Sequence, residues 1–263
     1  MKLMSVIIGL FLLLACKKGN TTVMDNAQQK PVTPIDTAKK PVTPAKPTDT
    51  VKPKPADPNK GKQLNYIALG DSYTIGEAVN SWEAFPYQLA GQLNAGGLII
   101  NPPKLIARTG WTTSELKEAI ASSGVIQKFD FVTLLIGVNN QYRGESKDTY
   151  RKEFKELLQI ALNYVNGNKT RVFVVSIPDW GVTNFAKQSG RNQKVISAEI
   201  DAFNAINKEE TVAMGVSYTD ITPGSRLAVD DTSLIANDGL HPSAKMYRQW
   251  SDLLSPKLLQ VFK

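Results

Sequence analysis

The chain has 263 residues but only one cysteine and one histidine. With Cys16 alone, no disulfide can form within the chain and no pair of thiolates can hold a metal ion. With His241 alone, the histidine clusters that bind zinc are excluded as well. The composition therefore predicts a protein without a metal ion, and no motif in the sequence indicates a cofactor.

Long apolar runs are also scarce. The longest, residues 6–14, is shorter than the about 20 residues that span a bilayer. It follows Lys2 and ends at Ala15-Cys16, and a charged start, a short apolar middle and a small residue at the cut are typical of a secretory signal. The run Leu13-Leu14-Ala15-Cys16 resembles the bacterial lipobox, whose cysteine is acylated and becomes the mature N-terminus. We expect a lipoprotein signal peptide at residues 1–15 and lipidation of Cys16; an ordinary signal peptide that contains a cysteine is the alternative.

After the cysteine, residues 16–62 have almost no large apolar side chains. Proline, threonine, lysine and aspartate dominate, and the pentapeptide at 30–34 recurs at 40–44. Such a segment cannot bury enough surface to offset its chain entropy, which predicts a disordered tether. A lipidated tether indicates a bacterial cell envelope, on the periplasmic or the cell-surface face of a membrane. Lys17 and Lys18 stand where an acidic residue retains some lipoproteins in the inner membrane, which favours the outer membrane.

The positive charge of the chain is confined to its N-terminal part. The whole sequence has 31 lysines and arginines against 24 aspartates and glutamates, but residues 63–263 have 20 of each. A basic excess on a disordered stalk indicates a solvated spacer rather than a nucleic-acid-binding face. We therefore expect no nucleic-acid partner, and contact with a membrane through the N-terminal lipid anchor.

Residues 63–263 are enough for one domain with its own core. Five apolar runs of strand length alternate there with amphipathic helical stretches. This alternation predicts an α/β domain, with a parallel sheet covered by helices on both faces. The predicted strands are residues 66–69, 104–107, 131–136, 171–177 and 216–219.

Chemically useful residues follow these strands. Ligands bind beyond the carboxyl ends of the strands in such sheets, so residues at that edge are candidates for a site. In chain order the candidates are Ser72, Gly110, Trp111, Asn139, Tyr142, Arg143, Trp180, Asp238 and His241. The last two come after the fifth strand and precede a helix predicted to begin near Ser243.

Ser72, His241 and Asp238 are the residue types that nucleophilic serine chemistry needs. Histidine takes and returns a proton near neutral pH, since its ordinary pKa is about 6.5. An imidazole deprotonates the hydroxyl, and a carboxylate holds the imidazole in the right tautomer. Each motif alone has a structural alternative: residues 70–72 can be a strand-ending turn, and residues 238–242 a turn with a satisfied histidine. Their common place at one sheet edge favours the catalytic interpretation.

Four sequence blocks resemble those of the SGNH, or GDSL, hydrolase family over residues 66–250. They are Gly70-Asp71-Ser72, Gly110, Gly137-Val138-Asn139 and Asp238-Gly239-Leu240-His241. The resemblance implies a flavodoxin-like three-layer α/β/α sandwich with a five-stranded parallel sheet. Most members of the family are esterases, lipases, thioesterases or carbohydrate deacetylases, so it also implies hydrolysis of a carboxylic ester.

The resemblance further implies a role for each block residue. Ser72 would be the nucleophile, His241 the base and Asp238 the residue that orients the base. The backbone N–H groups of Ser72 and Gly110 and the side-chain amide of Asn139 would form the oxyanion hole. The sequence departs from the family pattern at two residues: Tyr73 stands in place of leucine, and Asn140 in place of the aspartate that commonly follows the asparagine.

Trp111, Tyr142, Arg143 and Trp180 are the candidates for substrate contact. Aromatic rings at the mouth of a site stack on sugars or line an acyl pocket, and arginine binds carboxylates and phosphates. The alternative is that a tryptophan only packs its loop against the core. We expect a small-molecule, glycan or lipid ester as substrate, and activity that rises through one ionisation near roughly pH 6 to 7. A non-catalytic envelope binding or adhesion module on the same fold is the alternative of another class.

Overall fold

The computed structural model describes residues 61–263, which belong to one compact unit. The predicted signal peptide, Cys16 and all but the last two residues of the predicted tether lie outside the described residues. The first strand begins at Gln63, the first residue of the predicted domain. Within residues 61–263, no helix combines the length and the apolar character that crossing a bilayer requires.

Strands and α-helices alternate along the described residues. The strands are β1 (Gln63–Leu64), β2 (Tyr66–Gly70), β3 (Ile99–Ile100), β4 (Lys104–Ala107), β5 (Phe131–Leu135), β6 (Val172–Val175) and β7 (Ser217–Thr219). The helices are α1 (Ser72–Ile75), α2 (Phe85–Ala95), α3 (Thr113–Ser122), α4 (Val138–Tyr142), α5 (Lys147–Tyr164), α6 (Asn184–Gln188), α7 (Gln193–Ala213), α8 (Thr222–Arg226) and α9 (Ala244–Phe262).

Five strands form one parallel sheet in the order β4-β2-β5-β6-β7. The chain leaves β2 for β4 on one side and returns to β5 on the other, so the order reverses at β2 as in doubly wound folds. The predicted α/β class and five-stranded parallel sheet are confirmed. A separate parallel pair, β1 with β3, was not predicted, because two residues are too few to show a period.

Two predicted strands extend beyond the carboxyl ends of the observed ones. The apolar runs 131–136 and 171–177 include Ile136 and Ile177, which are buried but lie beyond the ends of β5 and β6. The backbone of Ile177 is instead paired with the Asn204 side chain, which accepts its N–H at 2.8 Å and donates to its carbonyl at 2.9 Å. An apolar run indicates burial, and a side chain can replace the strand partner at the end of a ladder.

The core lies on both faces of the sheet. Every residue of β2, β5 and β6 is buried, as expected for central strands covered on two sides. Helix α2 packs against α9, and α5 packs between α3 and α7. The buried stripe of α5 includes Tyr150, Phe154 and Leu157, and each such side chain contributes about 1.5–3 kcal/mol by leaving water.

Candidate active site

Ser72 lies on a tight turn between strand and helix. Strand β2 ends at Gly70 and α1 begins at Ser72, so only Asp71 separates them. The Asp71 carboxylate caps the helix by accepting the N–H of Tyr73 at 3.0 Å. A Cβ at position 70 would collide with the Thr74 side chain and with the backbone of β5, so glycine is required there. The turn makes Ser72 the first residue of α1, where its backbone N–H has no partner within the helix.

His241 and Asp238 form a hydrogen-bonded pair. The His241 Nδ1 atom lies 2.5 Å from Asp238 Oδ2, and Asp238 Oδ1 accepts the backbone N–H groups of Leu240 and His241 at 3.0 Å. The backbone of the turn therefore fixes the orientation of the carboxylate independently of its bond to the imidazole. Partial burial favours the neutral acid, but the hydrogen bonds from His241 and from the two backbone N–H groups outweigh it and lower the pKa of Asp238. The Tyr73 ring packs edge-on against the imidazole, with ring centroids 5.5 Å apart.

The three proposed oxyanion donors lie around one space. Gly110 follows β4 and has a φ of +86°, a left-handed conformation that strains residues with a side chain. Asn139 is on α4, and its Nδ2 atom donates one hydrogen to the carbonyl of Trp111 at 2.9 Å. An amide nitrogen carries two hydrogens, so the second remains for an oxyanion.

A cavity of about 200 Å³ joins these groups at the carboxyl edge of the sheet. It is lined by Ser72, Tyr73, Thr109, Gly110, Val138, Asn139, Tyr142, Trp180, Phe185, Leu240 and His241. Ser72 and His241 are both buried, 5% and 8% exposed, so a bound ester would react away from bulk water. They make no hydrogen bond to each other in the structure, and such bonds often tighten only once substrate binds.

The four predicted substrate contacts divide into two pairs. Tyr142 and Trp180 line the cavity, with ring centroids 5.4 Å apart in an edge-to-face contact. Trp180 is almost fully buried and donates its indole N–H to Gln141 at 2.8 Å, so it forms a fixed wall. Trp111 and Arg143 do not line the cavity: Trp111 packs against the core, and Arg143 bonds to the loop that carries Gly110.

Five lining residues were not among the predicted contacts: Tyr73, Thr109, Val138, Phe185 and Leu240. Four of them are sequence neighbours of Ser72, Gly110, Asn139 or His241, so adjacency to a block residue was the available signal. Phe185 has no such signal. Its backbone N–H donates to the carbonyl of Gly239 at 3.0 Å, and this bond brings α6 to the cavity.

Asn140, one of the two departures from the family pattern, joins the loop after β4 to α4. It is fully buried; its Oδ1 atom accepts the N–H of Thr113 at 3.1 Å, and its Nδ2 atom donates to Thr113 Oγ1 and to the Glu145 carboxylate, both at 2.7 Å. An aspartate at this position would place a second carboxylate against Glu145 and lose both donated bonds. The asparagine is therefore matched to Glu145.

Asp71 is a second titratable group beside Ser72. Its side chain is completely buried, and Oδ2 has no hydrogen-bond partner among the described residues. Burial raises the pKa of Asp71 to about 7, although the N–H of Tyr73 acts in the opposite direction. The ionisation of Asp71 therefore falls in the pH range in which the sequence predicts a single ionisation, and a pH profile has to be measured with Asp71 removed as well.

We expect Asp71→Asn to change how stability depends on pH. In the wild type the folded state keeps a proton on Asp71 that the unfolded chain loses above about pH 4, so this group makes stability fall as pH rises from about 4 to about 7. Asparagine keeps the cap and carries no charge. The free energy of unfolding is measured by denaturant titration for both proteins. The value for Asp71→Asn minus that for the wild type should increase by on the order of a few kcal/mol between about pH 4 and about pH 7. A difference that is constant from pH 4 to 8 would contradict this expectation.

No group of three or more histidine, cysteine, aspartate or glutamate side chains is placed to hold a metal ion in the part of the chain that the structure describes. The candidate site is thus built from one serine, one histidine, one aspartate and amide donors. Such a set performs acyl transfer in serine hydrolases of several unrelated folds.

The sequence model of the GDSL-like lipase/acylhydrolase family matches residues 68–249. The match covers more than half of the chain and includes all the block residues, so the protein belongs to this family. A comparison with curated protein sequences found no match.

Solved structures show the same fold. A lipase/acylhydrolase from Enterococcus faecalis is 18% identical, with a TM-score of 0.61 over 76% of this chain and 97% of that one. An acetylxylan esterase from Geobacillus stearothermophilus is 18% identical, with a TM-score of 0.56 over 78% and 95%. A psychrotrophic esterase from a Pseudoalteromonas species is 14% identical, with a TM-score of 0.54 over 75% and 98%. The described sheet with its helices is therefore the SGNH hydrolase fold.

Proposed function

We propose that the protein is a serine esterase that hydrolyses a carboxylic ester through an acyl-enzyme. The observation that carries the proposal is the hydrogen bond of 2.5 Å between Asp238 and His241, beside a cavity that His241 lines together with Ser72, Gly110 and Asn139. Family membership supports a hydrolase of this kind.

The reaction follows from the proton positions. With Asp238 at Nδ1, a neutral His241 carries its proton there and leaves the Nε2 lone pair free to accept the Ser72 proton. The Ser72 oxygen then attacks the ester carbonyl, and the imidazolium gives its proton to the departing alcohol. Water activated by the same imidazole attacks the acyl-enzyme and releases the acid, which restores Ser72.

The oxyanion is held by neutral donors. As the carbonyl oxygen becomes negative, it accepts hydrogen bonds from the N–H groups of Ser72 and Gly110 and from the free amide hydrogen of Asn139. Donors that are already in place cost no reorganisation during the reaction, and losing one raises the barrier by roughly 3–4 kcal/mol. This mechanism needs no metal ion and no cofactor.

The cavity favours a short acyl group. Its volume of about 200 Å³ is below the roughly 300–1,000 Å³ of pockets for drug-sized ligands. Tyr73, Trp180, Phe185 and Leu240 make its wall largely apolar, which suits a small alkyl chain. We infer that the alcohol part of the ester lies beside Tyr142, a half-exposed lining residue, because aromatic rings stack on sugars. An acetyl or other short acyl ester of a glycan fits these features better than a long-chain lipid ester, and an acetylxylan esterase is among the structural neighbours.

A series of 4-nitrophenyl esters tests this proposal. We expect kcat/KM to be highest for acetyl or butyryl and at least about tenfold lower for octanoyl, because each methylene without room costs about 1 kcal/mol or more. Phe185→Ala enlarges the cavity and should raise the octanoyl-to-acetyl ratio. Trp82→Ala, which removes an aromatic ring that is 67% exposed outside the cavity lining, is the matched control and should leave the ratio unchanged. A folded enzyme inactive on every ester would contradict the proposed function.

The location is a separate part of the proposal. The mature chain would begin at Cys16 carrying acyl chains, with residues 1–15 removed, and residues 16–62 would tether the domain to a membrane of the bacterial envelope. We expect Cys16→Ser to move the protein out of the membrane fraction, since stable attachment takes two or more acyl chains on that one residue. Mass spectrometry of the mature N-terminus checks this; an unmodified end downstream of Cys16 would mean a protein without a lipid anchor.

A further inference from the structure

The loop that carries Gly110 is hydrogen-bonded to α4 and to Arg143, the residue that follows α4. The bonds run from Arg143 to the Gly110 carbonyl at 2.5 Å, from Asn139 to the Trp111 carbonyl at 2.9 Å, and from the Thr113 N–H to Asn140 at 3.1 Å. Two of the three oxyanion donors, Gly110 and Asn139, therefore belong to one bonded unit. Arg143 contributes the charged bond of this unit, and charge-assisted hydrogen bonds are about twice as strong as neutral ones.

Both terminal nitrogens of Arg143 are bonded within the protein, and its side chain is 46% exposed. Its Nη2 atom donates to Gly110, and its Nη1 atom lies 3.2 Å from the Glu115 carboxylate. Glu115 in turn accepts the backbone N–H of Thr112 at 2.7 Å. The N–H of Thr112 and the guanidinium hold the pKa of Glu115 below its ordinary value, so the carboxylate stays charged. The Nη1 atom of this arginine is therefore already paired with a carboxylate of the protein.

Gly110 lies in a turn that the Trp111 N–H closes by donating to the Arg108 carbonyl at 3.3 Å. A Cβ at position 110 would meet only one atom within 4 Å, Nη2 of Arg143 at 3.9 Å, so the space on that side of the residue is otherwise open. Glycine has the widest choice of φ and ψ, and here φ is +86°. On the preceding side, the Thr109 hydroxyl donates to Glu77. The direction of the Gly110 N–H therefore depends on this turn, and Arg143 supports the turn by its bond to the Gly110 carbonyl.

We propose that Arg143 is a positioning residue that holds the Gly110 carbonyl, and with it the turn that directs the Gly110 N–H at the oxyanion, and that it does not bind substrate. This inference rests on the proposed esterase function. An oxyanion donor acts only when it already points at the developing charge, and a misplacement of about 1 Å can cost about 100-fold in rate. Without the guanidinium, the glycine samples other conformations, and only a fraction of molecules present the donor.

The test is the kinetics of Arg143→Ala on two esters: 4-nitrophenyl acetate, which is neutral, and the 4-nitrophenyl monoester of succinate, which carries a negative charge. We expect kcat to fall about 10- to 100-fold for both substrates, with KM changed less than about threefold, because the loss acts on the transition state. Arg143→Lys keeps the positive charge but has only one nitrogen, so it lacks the planar fork that bonds Gly110 and Glu115 together. Its kcat should therefore lie between those of the wild type and Arg143→Ala. Arg248→Ala, which removes an exposed arginine paired with Asp252 on α9, is the matched control and should not change kcat.

Two results would overturn the inference. A rise in KM confined to the anionic ester would make Arg143 a substrate contact, and an unchanged kcat in a folded Arg143 variant would remove its positioning role. If Arg143→Ala does not fold, Arg143→Lys carries the test: a reduced kcat with unchanged KM supports the inference, and wild-type kinetics refute it. Ser72→Ala distinguishes a failure of this inference from a failure of the proposed function, since an active Ser72→Ala refutes the serine esterase mechanism itself.

Discussion

Ser72→Ala should lower kcat on a short-chain ester by roughly 10⁴- to 10⁶-fold. The substitution removes the only atom that would form the acyl-enzyme and leaves the oxyanion donors in place, so a small residual rate remains. The fold should persist, because the Ser72 side chain makes no hydrogen bond to another described residue and alanine favours the first turn of α1. Steady-state kinetics and the unfolding midpoint, measured on the same preparation, give both quantities.

Ser122→Ala is the control for this experiment. Ser122 is an exposed residue at the end of α3, and its hydroxyl donates to the Glu118 carbonyl at 2.5 Å. It lies outside the cavity lining, so the variant should retain wild-type kcat. A Ser72→Ala protein with undiminished activity would exclude Ser72 as the nucleophile and would require another one.

Asp238→Asn should lower kcat by about 10⁴-fold with little change in structure. The asparagine oxygen can still accept the N–H groups of Leu240 and His241, so the turn is kept. Its amide nitrogen, however, would donate to His241 Nδ1. The imidazole would then carry its proton on Nε2 and could not take the proton of Ser72.

The size of this effect separates catalysis from packing. Asp231→Asn alters an exposed aspartate that pairs with Lys245, and we expect near-normal kcat from this control. A loss of less than about tenfold in Asp238→Asn would mean that the carboxylate does not set the tautomer of His241. The kinetics should be measured between pH 5 and 9 in an Asp71→Asn background as well, since Asp71 titrates in the same range.

The sheet was predictable because each of its central strands is an apolar run of strand length in the sequence. Every residue of β2, β5 and β6 is buried, and the strands are apolar except at Thr133, whose hydroxyl is hydrogen-bonded to that of Tyr66. The ends of β5 and β6 were less predictable, since Ile136 and Ile177 are as apolar and as buried as the strands themselves. Where a ladder stops is decided by hydrogen bonds to other elements, such as those of Asn204.

The role of Arg143 shows where sequence reasoning stops. Its place after a strand and its chemistry both favoured a substrate contact. The structure instead gives it two partners, the Gly110 carbonyl on the loop after β4 and Glu115 in the first turn of α3. The neighbouring Tyr142 does line the cavity, so two adjacent residues at the end of α4 differ in their contacts because their side chains point in different directions.

The amino-acid sequence by itself determined the class of fold, the edge of the sheet that carries the site, and the serine, histidine, aspartate and amide residues there. These depend on local patterns: apolar periodicity, strand-ending glycines and short motifs. Only the tertiary structure decided the size of the cavity, the inclusion of Phe185, the isolation of the Asp71 carboxylate and the bonds that hold Gly110. Those properties arise between segments far apart in the chain, where packing and long-range hydrogen bonds set distances that no local pattern encodes.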